Sequence, residues 1–312
     1  MKHWSDTQER SHSWVMRLIV WIALHMGWHF PHLLLYPITF YFFITGKKTR
    51  QVSRQYLQRV SNKKVNGWQI AKHIHTFSTT LLDRIYLLSN QLNYFDIRLH
   101  GLEVIENKLS SGGCFLLGSH LGSFDVLRAL ANQQKNLNIR VLMDKQHNPM
   151  ITKILDEINP DIAKMIIQIG TTESLITLKE ALDEGAVIAL LGDRVLDENR
   201  TIECDFLGKK AIFSTGPLLL ANLLKTPVIL FFGLYRGGNR YDVYFELFTE
   251  TMHFHRSKRD EQLKILTCRY ANRLEYYTQQ APYNWFNFYD FWSHKENSNT
   301  AHAIDKHNNT SR

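Results

Sequence analysis

From about residue 96 onward, short and wholly apolar runs alternate with amphipathic stretches, and this alternation limits the fold more than any other feature of the chain. The runs 114–118, 139–143, 165–169, 186–191 and 227–234 are short, bounded by turn residues, and read as buried strands. Between them, 124–132, 151–158, 173–183 and 216–224 carry apolar residues at helical spacing. Buried strands separated by helices define an α/β domain with a mixed, largely parallel central sheet flanked by helices. Residues 241–248 alternate with period two and are expected at a sheet edge, and 258–279 is expected to be helical. No internal repeat is present.

Ahead of this domain lie two segments of different character. Residues 49–95 read as helical, with Val52, Tyr56, Leu57 and Val60 recurring at spacings of three and four, followed by Ile74, Phe77, Leu81, Leu82 and Ile85. Before them, Leu18 to Ile44 contains no Asp, Glu, Lys or Arg and is long enough to cross a bilayer core. His25, Gly27, His29, Pro31, His32 and Pro37 interrupt it. Proline breaks helical hydrogen bonding, so three readings stay open: a single span, a kinked hairpin dipping into one leaflet, or a soluble helix pair. Trp21, Trp28, Tyr36 and Tyr41 suit the headgroup region. The organisation expected is a membrane anchor over 1–48, a basic helical segment over 49–98, the α/β domain over 99–292, and a disordered polar tail over 293–312.

Charge supports a membrane partner. The formal net charge is +8, and no acidic residue lies between Glu9 and Asp83. Lys47, Lys48, Arg50, Arg54, Arg59, Lys63 and Lys64 fall in that interval, directly after the apolar segment, where an anionic cytoplasmic membrane face attracts cations. A nucleic-acid partner would need aromatics interleaved with the basic residues on an exposed surface, and is not expected. No small-residue cleavage site follows the apolar segment, which argues against a removed signal peptide. The three cysteines, Cys114, Cys204 and Cys268, are scattered and form no CxxC. They predict neither a disulfide framework nor a zinc site, and fit a reducing compartment.

The stretch GGCFLLGSHLGSFDVLRAL, residues 112–130, holds His120 and Asp125 in a His-x4-Asp (HX4D) spacing. The spacing alone is weak, since 15 histidines give about one chance match, and His255 with Asp260 provides a second. Context separates the two. His120 follows an apolar strand and the small residues Gly118 and Ser119, and Gly122 and Ser123 open a helix, so the motif sits at a strand-to-helix turn where open α/β sheets place ligands. His255 lies among charges with no strand before it and reads as a surface residue. Five residues on a regular helix turn roughly 500°, leaving the side chains about 140° apart. His120 must therefore lie in the turn for Asp125 to reach back to it. Asp125 would then fix the imidazole tautomer and leave the other nitrogen as a base that takes a proton from an alcohol. The alternative is a helix-capping His followed by an Asp favoured by the helix dipole. No G-x-S-x-G nucleophile is present.

GSHLGSFD resembles the His-x4-Asp/Glu block of the late lipid A acyltransferases, the lauroyl/myristoyl-type group of the glycerolipid acyltransferase superfamily. The resemblance continues through residues 184–228, at Asp193, Phe206, Gly208, Ser214, Thr215 and Gly216, and covers roughly 15–292. It implies a glycerolipid acyltransferase-like fold and an O-acyltransferase with His120 and Asp125 as the catalytic pair. It also implies a donor thioester on acyl carrier protein or coenzyme A, a membrane lipid acceptor, no metal or cofactor, and a place on the cytoplasmic side of the inner membrane. Arg194, Asp193, Gly122, Ser123, Arg140, Thr215 and Gly216 are the candidate substrate-binding residues. Arg194 could bind a phosphate or simply pair with Asp193. The final segment PYNWFNFYDFW, residues 282–292, departs from the basic ending of the lipid A group and looks more like the acyltransferases of aryl polyene clusters. Its aromatics are first read as core. Two other functions compete: a lysophospholipid acyltransferase, although the glycerolipid FPEG run is replaced by LLGDR, and a non-catalytic lipid-binding scaffold that keeps the fold.

Overall fold

The computed structural model describes residues 13–109, 112–127, 137–143 and 164–292. The helix expected over 151–158, the far end of that over 124–132, and the tail over 293–312 lie outside the described residues. The chain opens with helices α1 (Ser13–His25), α2 (His29–Thr45), α3 (Lys47–Ser61) and α4 (Gly67–Leu88). Then follow β1 (Asp96–His100), α5 (Leu102–Leu109), β2 (Cys114–Gly118), β3 (Ile139–Met143), β4 (Ile166–Gln168), α6 (Thr172–Asp183) and β5 (Val187–Leu191). The hairpin β6 (Thr201–Phe206) and β7 (Lys209–Ser214) leads to α7 (Gly216–Leu224), β8 (Val228–Gly237), β9 (Arg240–Thr249) and α8 (Arg259–Gln280).

Among the described residues, seven strands form one sheet in the order β1-β9-β8-β2-β5-β3-β4. Of its described pairs only β8–β9 is antiparallel, as a tight hairpin allows. The remaining pairs are parallel, and their central strands are buried on both faces. β6 and β7 form a separate antiparallel ribbon. The strand expected at an edge, β9, is instead internal: β1 pairs with it and takes the edge. β1 escaped notice because its residues, Asp-Ile-Arg-Leu-His, alternate between exposed and half-buried and form no apolar run. The β6–β7 ribbon was likewise unassigned from sequence, since its strands mix polar and apolar residues and form no continuous apolar run.

One cluster of buried side chains, on one face of the sheet, brings Ile70 and Ile74 of α4 together with Phe115, Leu117, Phe232, Leu274 and Trp285. The second, on the other face, holds Leu87, Ile105, Leu116, Val126, Val141 and Ile229. α4 serves both, and a reciprocal capping box between Asn66 and Gln69 fixes its start. The 282–292 aromatics are core, as first read: Trp285, Phe286, Phe291 and Trp292 are buried.

The apolar N-terminus is a helical hairpin. Its break falls at Gly27, with φ +70°, rather than at a proline. Pro31 occupies the first turn of α2, and Pro37 lies inside that helix. Among the described residues no helix is long and apolar enough to cross a membrane. The cysteine reading is corrected as well: Cys204 of β6 and Cys268 of α8 form a disulfide. Cys114 is a buried thiol whose pKa burial pushes up to about 12. Scattered positions 64 apart gave no sign of a contact that only the docking of α8 on the ribbon creates.

Two glycines bring the turn after β2 against β8. Gly122 has φ +74°, and a Cβ there would lie 1.9 Å from the Gly233 carbonyl oxygen. In return, Ser123 N–H donates to Gly233 O at 2.8 Å. Gly122→Ala is expected to lower stability by about 3 kcal/mol or more, because backbone must move as well as adopt a disfavoured φ. Gly208→Ala, with similar φ and open space, should cost only ~1–2 kcal/mol. Denaturant unfolding of the two variants measures the difference.

Candidate active site

The site stands at the carboxyl ends of neighbouring parallel strands. Gly118 of β2 is in register with Leu191 of β5, so the residues just beyond them emerge side by side. Ser119 and His120 leave β2; Gly192, Asp193 and Arg194 leave β5. His120 Nδ1 lies 2.7 Å from Asp193 Oδ1, and the His120 backbone N–H donates to both Asp193 oxygens at 3.0 Å. Two further donors reach the carboxylate: Trp285 Nε1 at 3.0 Å and Asn287 Nδ2 at 2.8 Å. Asp193 is fully buried.

A carboxylate out of water is costly unless several donors face it. Burial alone would raise its pKa. The imidazole and backbone N–H of His120, together with the Arg194 guanidinium, outweigh that and hold the carboxyl down to about 2. Because ionised Asp193 can only accept, His120 Nδ1 carries the proton of the neutral ring. Nε2 has no partner among the described residues, and the side chain stays 26% exposed. Burial pushes the His120 pKa below its ordinary value, as do the Arg194 and Arg84 charges; Asp193 opposes them without prevailing. The group is thus a neutral imidazole with a fixed tautomer and an open basic nitrogen.

The segment after α8 holds this arrangement in place. Phe286 N–H donates to His120 O and Gly122 N–H to Asn284 O, both at 2.8 Å, and Asn284 pairs with both backbone groups of Tyr235. Behind it, buried His73 donates from Nε2 to Trp285 O at 3.0 Å and accepts from Ser53 at Nδ1. Burial lowers the His73 pKa to about 4, keeping it neutral.

The sequence-predicted residues sort as follows. The carboxylate on His120 is that of Asp193, which corrects the expected His120–Asp125 pair. Asp125 is buried at the start of the helical turn 125–127, and Arg84 Nε of α4 donates to its Oδ2. Asp193, expected at the substrate, instead has its oxygens filled by protein donors. Arg194 donates to Asn287 Oδ1 at 2.9 Å and lies close enough to act on the imidazole. Gly122 and Ser123 form the turn. The hydroxyls of Ser119 and Ser123 are buried with no partner among the described residues. Arg140 is not brought to the site: it is in register with Ile188, three residues before the end of β5, and its guanidinium donates to Lys164 O. Thr215 and Gly216 bond locally, to Arg200 O and Ser214 Oγ. His255 is on the surface, with Nδ1 against Ser257, as its context indicated. Trp285, Asn287 and Arg84 were missed. Two asparagines among aromatics were the one visible signal, since buried amides need specific partners.

The family model of bacterial lipid A biosynthesis acyltransferases matches residues 6–294. The chain belongs to this family. No curated protein matches it. In this family member the residue types fit acyl transfer, since a neutral imidazole can accept a proton without forming a covalent intermediate.

An NMR titration of His120 is expected to find Nδ1-protonated imidazole with a pKa below 6.5. Asp193→Asn should move it lower still, because the carboxylate is the one group raising it. A value above 6.5 in the parent protein would contradict the assigned electrostatics.

Proposed function

We propose that this family member transfers a fatty-acyl chain from a thioester, on acyl carrier protein or coenzyme A, to a hydroxyl of a lipid A-like or other outer-membrane lipid. The observation that carries the reading is the His120–Asp193 pair with its open Nε2, in a chain of this family. The acceptor hydroxyl gives its proton to His120 Nε2 as its oxygen attacks the thioester carbonyl. Asp193 stabilises the imidazolium, which then returns the proton to the departing thiolate. The ester forms as the carbon–sulfur bond breaks. Asp125 acts at one remove, by holding Arg84 and the turn.

Cells with and without the intact protein, compared by lipid mass spectrometry, identify which lipid gains an acyl chain and of what mass. His120→Ala should abolish that gain while the protein stays folded. Asp193→Asn should lower kcat by roughly 10²–10⁴-fold. A normal lipid profile with His120→Ala would favour a non-catalytic scaffold, and a gain on lysophospholipid would move the acceptor to the glycerolipids. In the parent enzyme, kcat/KM should stay level through neutral pH and fall in acid, with a midpoint below 6.5, as the imidazole protonates.

We also propose that the α1–α2 hairpin lies in the cytoplasmic leaflet of the inner membrane. Leu33, Tyr36, Phe40 and Tyr41 are 61–64% exposed, beside Trp21 and Ile44. Such a contiguous apolar face, bordered by Lys47, Lys48, Arg54, Lys63 and Lys64, suits an anionic bilayer interface. Co-sedimentation with phosphatidylglycerol vesicles is expected, and Leu33→Asp with Phe40→Asp should abolish it. In a reducing compartment Cys204 and Cys268 are expected as thiols, so their alkylation in intact cytoplasm tests the side. A persistent bridge there would overturn the cytoplasmic placement.

A further inference from the structure

We propose that Arg84 binds a phosphate group of a substrate beside His120; this rests on the acyltransferase reading above. Arg84 lies on α4, and its Nε donates to Asp125, five residues after His120 in the same turn. That bond occupies one of the five N–H donors of a guanidinium. Neither Nη atom has an acceptor among the described residues. The side chain is 33% exposed, whereas Asp125, which holds it, is 4% exposed. A buried carboxylate thus pins the inner edge of a planar fork whose outer donors remain open.

The fork is close to the reaction centre. The Arg84 charge acts on the His120 imidazole from α4, while Arg194 acts from the β5 side. Arg194 differs in that its Nε is used by Asn287 and its Nη2 faces Phe286 O at 3.5 Å, which makes it a brace for the 284–287 segment. An outward guanidinium edge fits the oxygens of a phosphate ester, and its charge-assisted hydrogen bonds are among the stronger ones in proteins.

The neighbouring residue ties this edge to the N-terminal hairpin. Fully buried Asp83 accepts from Trp28 Nε1 at 3.2 Å and from Tyr241 OH at 2.6 Å, and lies 2.9 Å from His32 Nε2. One turn of α4 therefore joins the exposed apolar hairpin to the catalytic turn, and Arg84 stands between them. A phosphate there has two sources: the headgroup of a lipid acceptor, or the phosphopantetheine arm of the donor.

The test pairs two donors, lauroyl-coenzyme A and phosphate-free S-lauroyl-N-acetylcysteamine, with two acceptors, a monophosphorylated acyl-glucosamine disaccharide and its dephosphorylated form. Arg84→Ala should lower kcat/KM roughly ten- to a hundredfold, the size of one or two charged hydrogen bonds, and only where the relevant phosphate is present. A loss confined to the phosphorylated acceptor assigns the lipid headgroup. A loss confined to lauroyl-coenzyme A assigns the donor arm. Arg84→Lys, which keeps a cation for Asp125 but not the fork, should recover part of the loss. Equal loss with all four combinations, or none, overturns the proposal in favour of a purely positioning role through Asp125. Calorimetric binding of the phosphorylated disaccharide and of a coenzyme A thioether, parent protein against Arg84→Ala, gives a second readout. Unchanged affinity for both overturns the phosphate site even if transfer is seen. Absence of transfer by the parent protein with intact binding counts against the acyltransferase reading alone.

Discussion

A carboxylate sealed from water at the end of a parallel strand is the constraint around which the rest of this molecule is arranged. Asp193 is stable as an anion there only because donors arrive from two separate parts of the chain: His120 from the end of β2, and Trp285 and Asn287 from the segment after α8. Removing one side of such a buried arrangement costs about 3–5 kcal/mol, since the remaining charge is left uncompensated. The same bonds that satisfy the anion orient the imidazole. The stability of the anion and the orientation of the imidazole therefore draw on one set of hydrogen bonds.

Support for this centre is layered. Trp285, whose indole N–H faces Asp193, offers its carbonyl to His73, and His73 is held by Ser53 of α3. Phe206 of the β6–β7 ribbon packs on the Trp285 ring at 5.2 Å, and α8 packs on that ribbon where Cys268 meets Cys204. On the opposite side, Asp83 and Arg84 give α4 two functions in one turn, gripping the hairpin and gripping Asp125. The N-terminal helices, which look like an appendage in the sequence, are bonded through a buried acid to Tyr241 of β9 in the central sheet. The exposed apolar face of the hairpin is thereby tied through α4 to the turn that carries His120.

Much of the framework was legible because it rests on local pattern. Five apolar runs became β2, β3, β4, β5 and β8, and α7 falls at the residues its spacing marked. His120 was identifiable from its place between a buried strand and a glycine-bearing turn. The error at Asp125 has a simple cause. A fixed interval of five residues suggests a partner, but the second carboxylate, 73 positions away, was invisible as a neighbour until β2 and β5 paired in register. Asp125, for its part, met Arg84 across 41 positions.

The sequence by itself determined the α/β layering, the strand-end position of His120, the apolar N-terminal stretch with its basic border, and the glycine-bearing turn after β2. These follow from residue type and short-range periodicity, which act over one helical turn or one strand. Only the tertiary structure decided which acid orients the imidazole, which guanidinium edge stays open, and which cysteines meet. Those outcomes depend on distances between segments far apart in the chain, and such distances are set by packing and strand register rather than by any local preference.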